Sequence, residues 1–348
     1  MKIVITADWH FGYPGRLNDL KWAFISLVDY CVDNNIKLIL MLGDLTHDRE
    51  HMTHDVSNTL SECLDYMYEK NISMITLIGN HDMFMRHKWS INAIKPFAKQ
   101  MTCVDCVSNF ELSGRKFWMV PFIEHEPSYM KIVNQISDMS SEEDILLTHI
   151  GINAATLNVC FLVQNWNIVN FEKTKFSRVY SGHFHCTQKV GEKSWYPGSP
   201  IPFKFDEGQV EHGFFVYDIE ENSHKFVDIY DIGKEDDDKP SDFITAPSDD
   251  IINIIGSCDG NNVKIQLKDG DDKSEISKKL IDAGASKVVF IAPKEETPNF
   301  TKKGDTYARS NSVFKSWLKH DDPKHLNHEL LMGLEKEIRS ETRIIEDD

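Results

Sequence analysis

Seven side chains able to bind a divalent cation punctuate the first half of the chain: Asp8, His10, Asp44, Asn80, His149, His183 and His185. They sit in five short motifs: Asp8-Trp9-His10, Gly43-Asp44, Gly79-Asn80-His81-Asp82, Thr148-His149 and Gly182-His183-Phe184-His185. Each motif alone is weak. A Gly-Asp pair is an ordinary turn, and a single histidine after an apolar run is more often a capping or surface residue. Their placement changes the reading. Each follows directly on an apolar run of strand type, at residues 3–6, 38–42, 74–78, 145–147 and 179–180. Sites in open α/β sheets form outside the carboxyl ends of the strands. Seven donors are about what two near-octahedral ions need when one carboxylate bridges and water fills the rest. Mixed imidazole, carboxylate and amide oxygen suits Mn²⁺, Fe²⁺ or Zn²⁺ over Ca²⁺. No cysteine belongs to the set, which excludes a structural thiolate zinc site.

The motifs resemble those of calcineurin-like metallophosphoesterases, and the resemblance implies that two cations roughly 3.5–4 Å apart clamp a phosphate and share one hydroxide that attacks phosphorus in line. The leaving oxygen then needs a proton. His81, next to Asn80, would reach the phosphate without ligating, and an imidazolium there can donate that proton. Asp82 has two readings: it orients His81, or it caps the turn that carries the motif.

The elements that must position these residues are legible from periodicity. Between the first two apolar runs, residues 18–32 carry Leu20, Ala23, Phe24, Leu27, Val28 and Cys31 at helical spacing. Residues 56–68 read as a second helix. Further strand signals fall at 117–120, 214–217 and 225–229, so a layered α/β domain is expected over residues 1–232, its later strands mixed in direction. The run Lys234-Glu235-Asp236-Asp237-Asp238-Lys239-Pro240 has no apolar period and reads as the start of a linker, 233–262. Residues 263–267, 273–283 and 287–291 then form a strand, helix, strand unit too small to be stable alone, expected to pack as a cap over 263–293. Asp322-Pro323 opens a terminal helix whose Leu326, Leu330, Leu331, Leu334 and Ile338 share one stripe. The tail, 294–348, is expected either to dock on the cap or to bind a partner.

Composition sets outer bounds. The chain has 348 residues, 41% hydrophobic and 27% charged, as in an ordinary two-domain globular protein. No apolar run approaches the ~20 residues that span a bilayer, and the start is acidic too soon for a signal peptide; a cytoplasmic location is expected (host cytoplasm if the source is viral). The seven cysteines include one CxxC, Cys103 and Cys106, without a second pair to complete a zinc site. The net charge of −17 is awkward for a protein that binds DNA on its own. Either the substrate is not nucleic acid, or a partner supplies the basic track, or bound cations reverse the sign locally.

The five motifs, in this order from Asp8 to His185, resemble those of the calcineurin-like metallophosphoesterase superfamily. The resemblance implies a four-layer α/β/β/α sandwich with a small C-terminal α+β cap and terminal helices. It implies that Asp8, His10 and His185 hold one ion, that Asn80, His149 and His183 hold the other, and that Asp44 bridges. Protein phosphatases of the superfamily carry GNHE and GDxVDRG, whereas this chain has Gly79-Asn80-His81-Asp82 and Gly43-Asp44-Leu45-Thr46-His47-Asp48-Arg49. His47, three residues after the bridging aspartate, resembles the second catalytic histidine of SbcD-type nucleases. The cap and the tail resemble theirs in layout, closest to the SbcD-like subunits of large tailed phages. The implied function is a 3′–5′ exonuclease and single-strand endonuclease acting in DNA end processing, recombination and repair. It would work with manganese first, or magnesium, iron or zinc, as a homodimer bound through its tail to an SbcC-type coiled-coil ATPase. Arg49 and Ser199, with Arg16, Arg86, His87 and Lys88, are candidate substrate contacts. The alternatives are a small-molecule phosphodiesterase or phosphatase and a non-enzymatic scaffold.

Overall fold

The computed structural model describes residues 1–84, 91–158, 161–162, 169–208, 210–233 and 240–292. The expected helical tail, 294–348, lies outside the described residues, as do Arg86, His87 and Lys88.

The chain opens with β1 (Lys2–Thr6), α1 (Leu17–Asp33), β2 (Leu38–Met41), α2 (His54–Glu69) and β3 (Ser73–Leu77). These are the expected alternating units, and β1, β2 and β3 pair in parallel. The stripe read from the sequence of α1 is buried at every expected position, from Leu20 to Cys31. Thr53 caps α2 by accepting a hydrogen bond from the Val56 amide. Next come β4 (Thr102–Val104), β5 (Ser108–Leu112), β6 (Arg115–Val120), α3 (Glu126–Met139) and β7 (Ile145–His149). A short hairpin, β8 (Thr156–Asn158) and β9 (Phe161–Leu162), precedes β10 (Arg178–Gly182), β11 (Gln188–Val190) and β12 (Ser194–Tyr196). Finally come β13 (Gly213–Asp218), β14 (Ser223–Asp228) and α4 (Ile229–Ile232).

Two six-stranded sheets result, ordered β14-β13-β1-β2-β3-β4 and β11-β12-β10-β7-β6-β5. Both are mixed, with β13 antiparallel to β1 and β5 antiparallel to β6. The period-2 geometry of strands explains the layering. Ile3, Ile5, Leu40 and Leu42 face Phe117, Met119, Ile145, Leu147 and Tyr180 across the gap between the sheets. The alternate residues Val4, Ile39 and Met41 lie in a second cluster with the α1 and α2 stripes. On the other sheet, Trp118, Leu146 and Val179 meet Tyr129, Val133 and Ile136 of α3 in that cluster. Strands buried on both faces must be covered on both, and this gives the four layers α/β/β/α.

The cap begins earlier than the sequence reading placed it. Within the expected 233–262 linker lie β15 (Phe243–Pro247) and a short helix, α5 (Ile251–Ile254). β15 pairs in parallel with β16 (Asn262–Gln266), which pairs with β17 (Lys287–Ile291), while α6 (Lys273–Asp282) crosses over. Ile244, Val263 and Val288 share one register position. They join Ile265, Leu267, Ile276 and Leu280 in a core of the cap's own. The physical reason for the correction is area. One strand, helix, strand unit buries too little apolar surface, and a third strand supplies the missing face. No helix of the described residues is long and apolar enough to cross a membrane.

Candidate metal centre

The five motifs occupy the loops at the carboxyl ends of β1, β2, β3, β7 and β10, so the ligands come from both sheets. The chain bends sharply at these loops. Asp8, His10, Asp44 and His183 all have positive φ, at 55°, 48°, 54° and 106°. Each such non-glycine residue costs about 1–2 kcal/mol, a strain concentrated where side chains must converge. Glycines permit the close approach. A Cβ on Gly79 would run into the Asp44 carboxylate and backbone, and one on Gly182 would press on the Leu42 carbonyl and lie 2.7 Å from His149 Nδ1.

The seven expected ligands come together. Nitrogen and oxygen atoms of Asp8, His10 and His185 lie within 4.8 Å of one another, as do those of Asp44, His149 and His183. Asn80 Oδ1 joins the second group, 3.1 Å from His149 Nε2 and 2.9 Å from His183 Nδ1. Asp44 Oδ2 lies between the groups, 3.3 Å from His149 Nε2 and 3.8 Å from His10 Nε2. Asp8, His10, Asp44 and His149 are at most 2% exposed.

Hydrogen bonds fix the tautomers. His149 Nδ1 donates to the Leu42 carbonyl at 2.7 Å, which leaves Nε2 as the nitrogen facing Asp44 and Asn80. His185 Nδ1 pairs with Glu207 Oε1 at 3.0 Å, which turns Nε2 toward His10 Nε2, 3.1 Å away. Two imidazole lone pairs in that position repel unless a proton or a cation lies between them. A buried carboxylate pair, Asp8 and Asp44, faces the same space. The donor set therefore fits divalent cations, with the ring nitrogens held outward by second partners as metal-binding histidines require.

Electrostatics agree. Burial pulls His10 well below the usual imidazole range and His183 down to about 3, the latter helped by the positive His149. Both rings are thus neutral, with lone pairs available. Burial would raise Asp44, but His149 and then His10 override it and hold the carboxyl far below its ordinary value. His149 shows the converse: burial would lower it, but Asp44 outweighs burial and lifts it to about 9. Burial drives Asp8 up to about 7 against the pull of His149 and His185, as expected for a carboxylate whose countercharge is incomplete without a cation.

His81 lines the same cavity. Its amide donates to Asp44 Oδ1 at 2.7 Å, and its Nδ1 donates to the His47 carbonyl at 2.7 Å. Nδ1 is thereby occupied, and Nε2 is the nitrogen free for a substrate oxygen. The His47 ring stacks on His81, with centroids 5.4 Å apart, and its Nδ1 lies 3.3 Å from His10 Nδ1. The cavity, about 260 Å³, is also lined by Tyr13, Phe184, Lys204, Asp206 and Glu207. A larger groove of about 840 Å³ between α1, α2 and α4 contains none of the metal-binding groups found among the described residues.

Of its two readings Asp82 takes the second, a cap on the motif loops, and three candidate substrate contacts, Ser199, Arg49 and Arg16, lie away from the cavity. Asp82 does not orient His81. Its carboxylate accepts from the amides of Asp44, Gly79 and Thr46 and from the Thr46 hydroxyl, tying the second and third motif loops together. Ser199 makes no cavity wall. It is fully buried, its hydroxyl donating to the Ile201 carbonyl and meeting His212 Nδ1. Arg49 is half-buried in the loop after His47 and does not line the cavity either; the cation that does is Lys204. Arg16, 4% exposed, donates to Ser241 and pairs with Asp19. Sequence reasoning missed Glu207, which stands among other charged residues, Lys204, Asp206 and Glu211, with no local signal that sets it apart.

Comparison with known proteins gives the same direction. The calcineurin-like phosphoesterase family matches residues 1–187. The chain is similar to the SbcD component of the SbcCD nuclease of Staphylococcus epidermidis, 28% identical over 255 residues, 64% of this chain and 67% of the relative. It is similar to exonuclease subunit 1 of Enterobacteria phage T4, 21% identical over 252 residues, 65% of this chain and 67% of the relative. A shorter stretch of 93 residues is 27% identical to the DNA double-strand break repair protein Mre11 of Halobacterium salinarum, covering 25% of this chain and 24% of that one.

Proposed function

The chain belongs to the calcineurin-like phosphoesterase family, and on that premise we propose that it is a manganese-dependent DNA nuclease, the catalytic subunit of an SbcCD-type ATPase–nuclease complex. The observation that carries the reading is the convergence of seven donors around Asp44 with His81 beside them. The relatives named for nuclease activity favour a phosphodiester in DNA as the substrate.

Divalent cations bound here would neutralise the phosphate and lower the pKa of water at neutral pH. The chain's own residues do the rest. Asp8, His10 and His185 would hold one ion, Asn80, His149 and His183 the other, with Asp44 shared. His81, its Nδ1 fixed by the His47 carbonyl, turns Nε2 to the leaving sugar oxygen, to which it would pass a proton. His47 keeps the His81 ring parallel to its own and so sets the line of that transfer. Lys204 places one positive charge at the cavity for a non-bridging phosphate oxygen. One lysine does not bind a duplex against a net charge of −17. The reading therefore assigns most of the DNA grip to an ATPase partner, engaged through the tail at 294–348, and a cytoplasmic site of action. Homodimer formation and the 3′–5′ direction belong to the same proposal.

The test compares hydrolysis of single-stranded DNA and of bis-p-nitrophenyl phosphate, each with Mn²⁺, by the chain alone and with its co-purified ATPase. Faster DNA cutting with the partner and ATP is the expected result. Efficient turnover of the small ester with no cutting of DNA under any condition would replace the nuclease with a small-molecule phosphodiesterase.

A further inference from the structure

The segment from Phe203 to Gly208 touches two things at once. Toward the centre, Glu207 is 5% exposed and its Oε1 holds His185 Nδ1 at 3.0 Å. Its Oε2 accepts from the Phe203 amide at 2.7 Å, and its carbonyl meets His212 Nε2 at 3.0 Å. Lys204 and Asp206, on either side of Phe205, line the cavity. Away from the centre, the same segment is gripped by the cap. The Phe205 ring meets Phe243 of β15 edge-on, with centroids 4.8 Å apart. Lys264 of β16 places its ammonium 4.6 Å from the Phe205 centroid. A side chain at Gly208 would collide with the Phe243 backbone. On its other side Phe243 carries the Arg16 guanidinium at 5.3 Å, and Arg16 donates to Ser241 at 2.7 Å. Phe243 and Lys264 alternate in their strands with Ile244, Val263 and Ile265, which fill the cap's own core. They therefore belong to the opposite face of the cap sheet, the face turned to this segment.

We propose that residues 203–208 couple the seating of the cap to the metal centre: Phe205, held by Phe243 and Lys264, positions Glu207 against His185. This rests on reading the centre as metal-binding and adds a lever to it. Phe205 is a positioning residue. A cap that lifts takes Phe243 and Lys264 off Phe205, loosens the backbone that carries Glu207, and frees the His185 ring to turn away from its ion. Of the three clusters of candidate donors among the described residues, only the one with Asp8 and His10 contains His185. The effect therefore falls on the ion held by Asp8, His10 and His185, while the one held by Asn80, His149 and His183 keeps its ligands. A link of this kind lets whatever moves the cap set the metal occupancy of the centre without touching it.

The test is calorimetric titration of Mn²⁺ into chelator-treated full-length protein. Wild type should take two ions. Glu207→Gln, Phe205→Ala and Phe243→Ala should each weaken one ion by about 10-fold, the scale of lost outer-shell partners, and leave the other within about 2-fold. Phe205→Tyr, which keeps the ring, should restore wild-type titration. If Phe205→Ala and Phe243→Ala bind both ions as wild type does, or lose both equally, the coupling is wrong. If wild type itself takes no Mn²⁺, the metal-centre reading fails first. Hydrogen exchange on wild type needs no variant: protection should rise together at 203–208 and 243–247 as Mn²⁺ binds. A rise confined to 203–208 would overturn the coupling.

Discussion

Asp82→Asn changes one oxygen into an amino group and should cost about 2–5 kcal/mol. Asp82 is completely buried and accepts four hydrogen bonds, from the amides of Asp44 (2.8 Å), Gly79 (2.9 Å) and Thr46 (2.9 Å) and from the Thr46 hydroxyl (3.0 Å). An asparagine in the same place has one oxygen. Its best orientation keeps that oxygen on Asp44 and Gly79 and turns the amino group to Thr46. The Thr46 hydroxyl can rotate and accept, but the Thr46 amide then faces a donor. One buried N–H left without an acceptor costs about 1–3 kcal/mol. Burial, then Asp44, raises the Asp82 carboxyl to about 7, so the unfolding is measured at pH 8 or above, where it is ionised and the surviving bonds lose their charge assistance, roughly half their strength, for another 1–2 kcal/mol or so. The assay is urea unfolding with chelator present, so that metal affinity does not enter the balance. A lower midpoint at unchanged slope is the signature of lost stability. At about 2–4 °C per kcal/mol, the melting temperature should drop by roughly 4–20 °C. A midpoint within about 0.5 kcal/mol of wild type would refute the assignment of Asp82 as the tie between the two loops, because ordinary surface changes fall in that range.

His81→Asn should slow phosphodiester cleavage by about 10²–10⁴-fold while Mn²⁺ titration is unchanged; cleavage within a few-fold of wild type would exclude His81 as the proton donor. Gly182→Ala should cost about 1–3 kcal/mol, as overpacking in a core does, and also weaken metal binding through His149; thermal melts and calorimetry read the two effects, and a wild-type melt would contradict the close approach. His224 gives a pH test away from the centre. Burial, then Arg178, lowers its pKa to about 4. Between about pH 6.5 and pH 4 the unfolded chain binds a proton that the folded chain refuses, so stability is full above the unfolded pKa and falls as pH drops through this window. The ring is only partly shielded, so the loss should be on the order of 1 kcal/mol. His224→Gln, measured by urea unfolding at pH 8 and pH 5, should remove that part of the pH dependence, and an unaltered slope would count against it.

The convergence of the candidate ligands was legible in the sequence because each is tied to a signal of its own, a strand end. A continuous apolar run, as a strand buried on both faces has, marks where that strand stops, and the residue after it lies at the sheet's carboxyl edge. The α1 stripe was legible for the same reason, one local period over five turns. What the sequence hid depends on tertiary partners. Whether Asp82 reaches forward to His81 or back to Asp44 and Thr46 is decided by loops about 36 residues apart in the chain, and no local pattern records it. Glu207 meets His185 across 22 positions. Ser199 stands in a turn that looks exposed, yet Ile201 and His212 close over it. The first cap strand was lost between an acidic run and Pro247-Ser248-Asp249-Asp250, whose charge masks the short apolar alternation of Phe243 to Ala246.

The donors are divided between two layers that the chain completes at different times. Asp8, Asp44 and Asn80 hang from one sheet, and His149, His183 and His185 from the other, while β13, more than 200 positions downstream, flanks β1. A growing or half-folded polypeptide therefore owns, at most, a fraction of a binding pocket. The full donor set exists only where the loops of both sheets meet, so neither sheet alone carries a complete pocket.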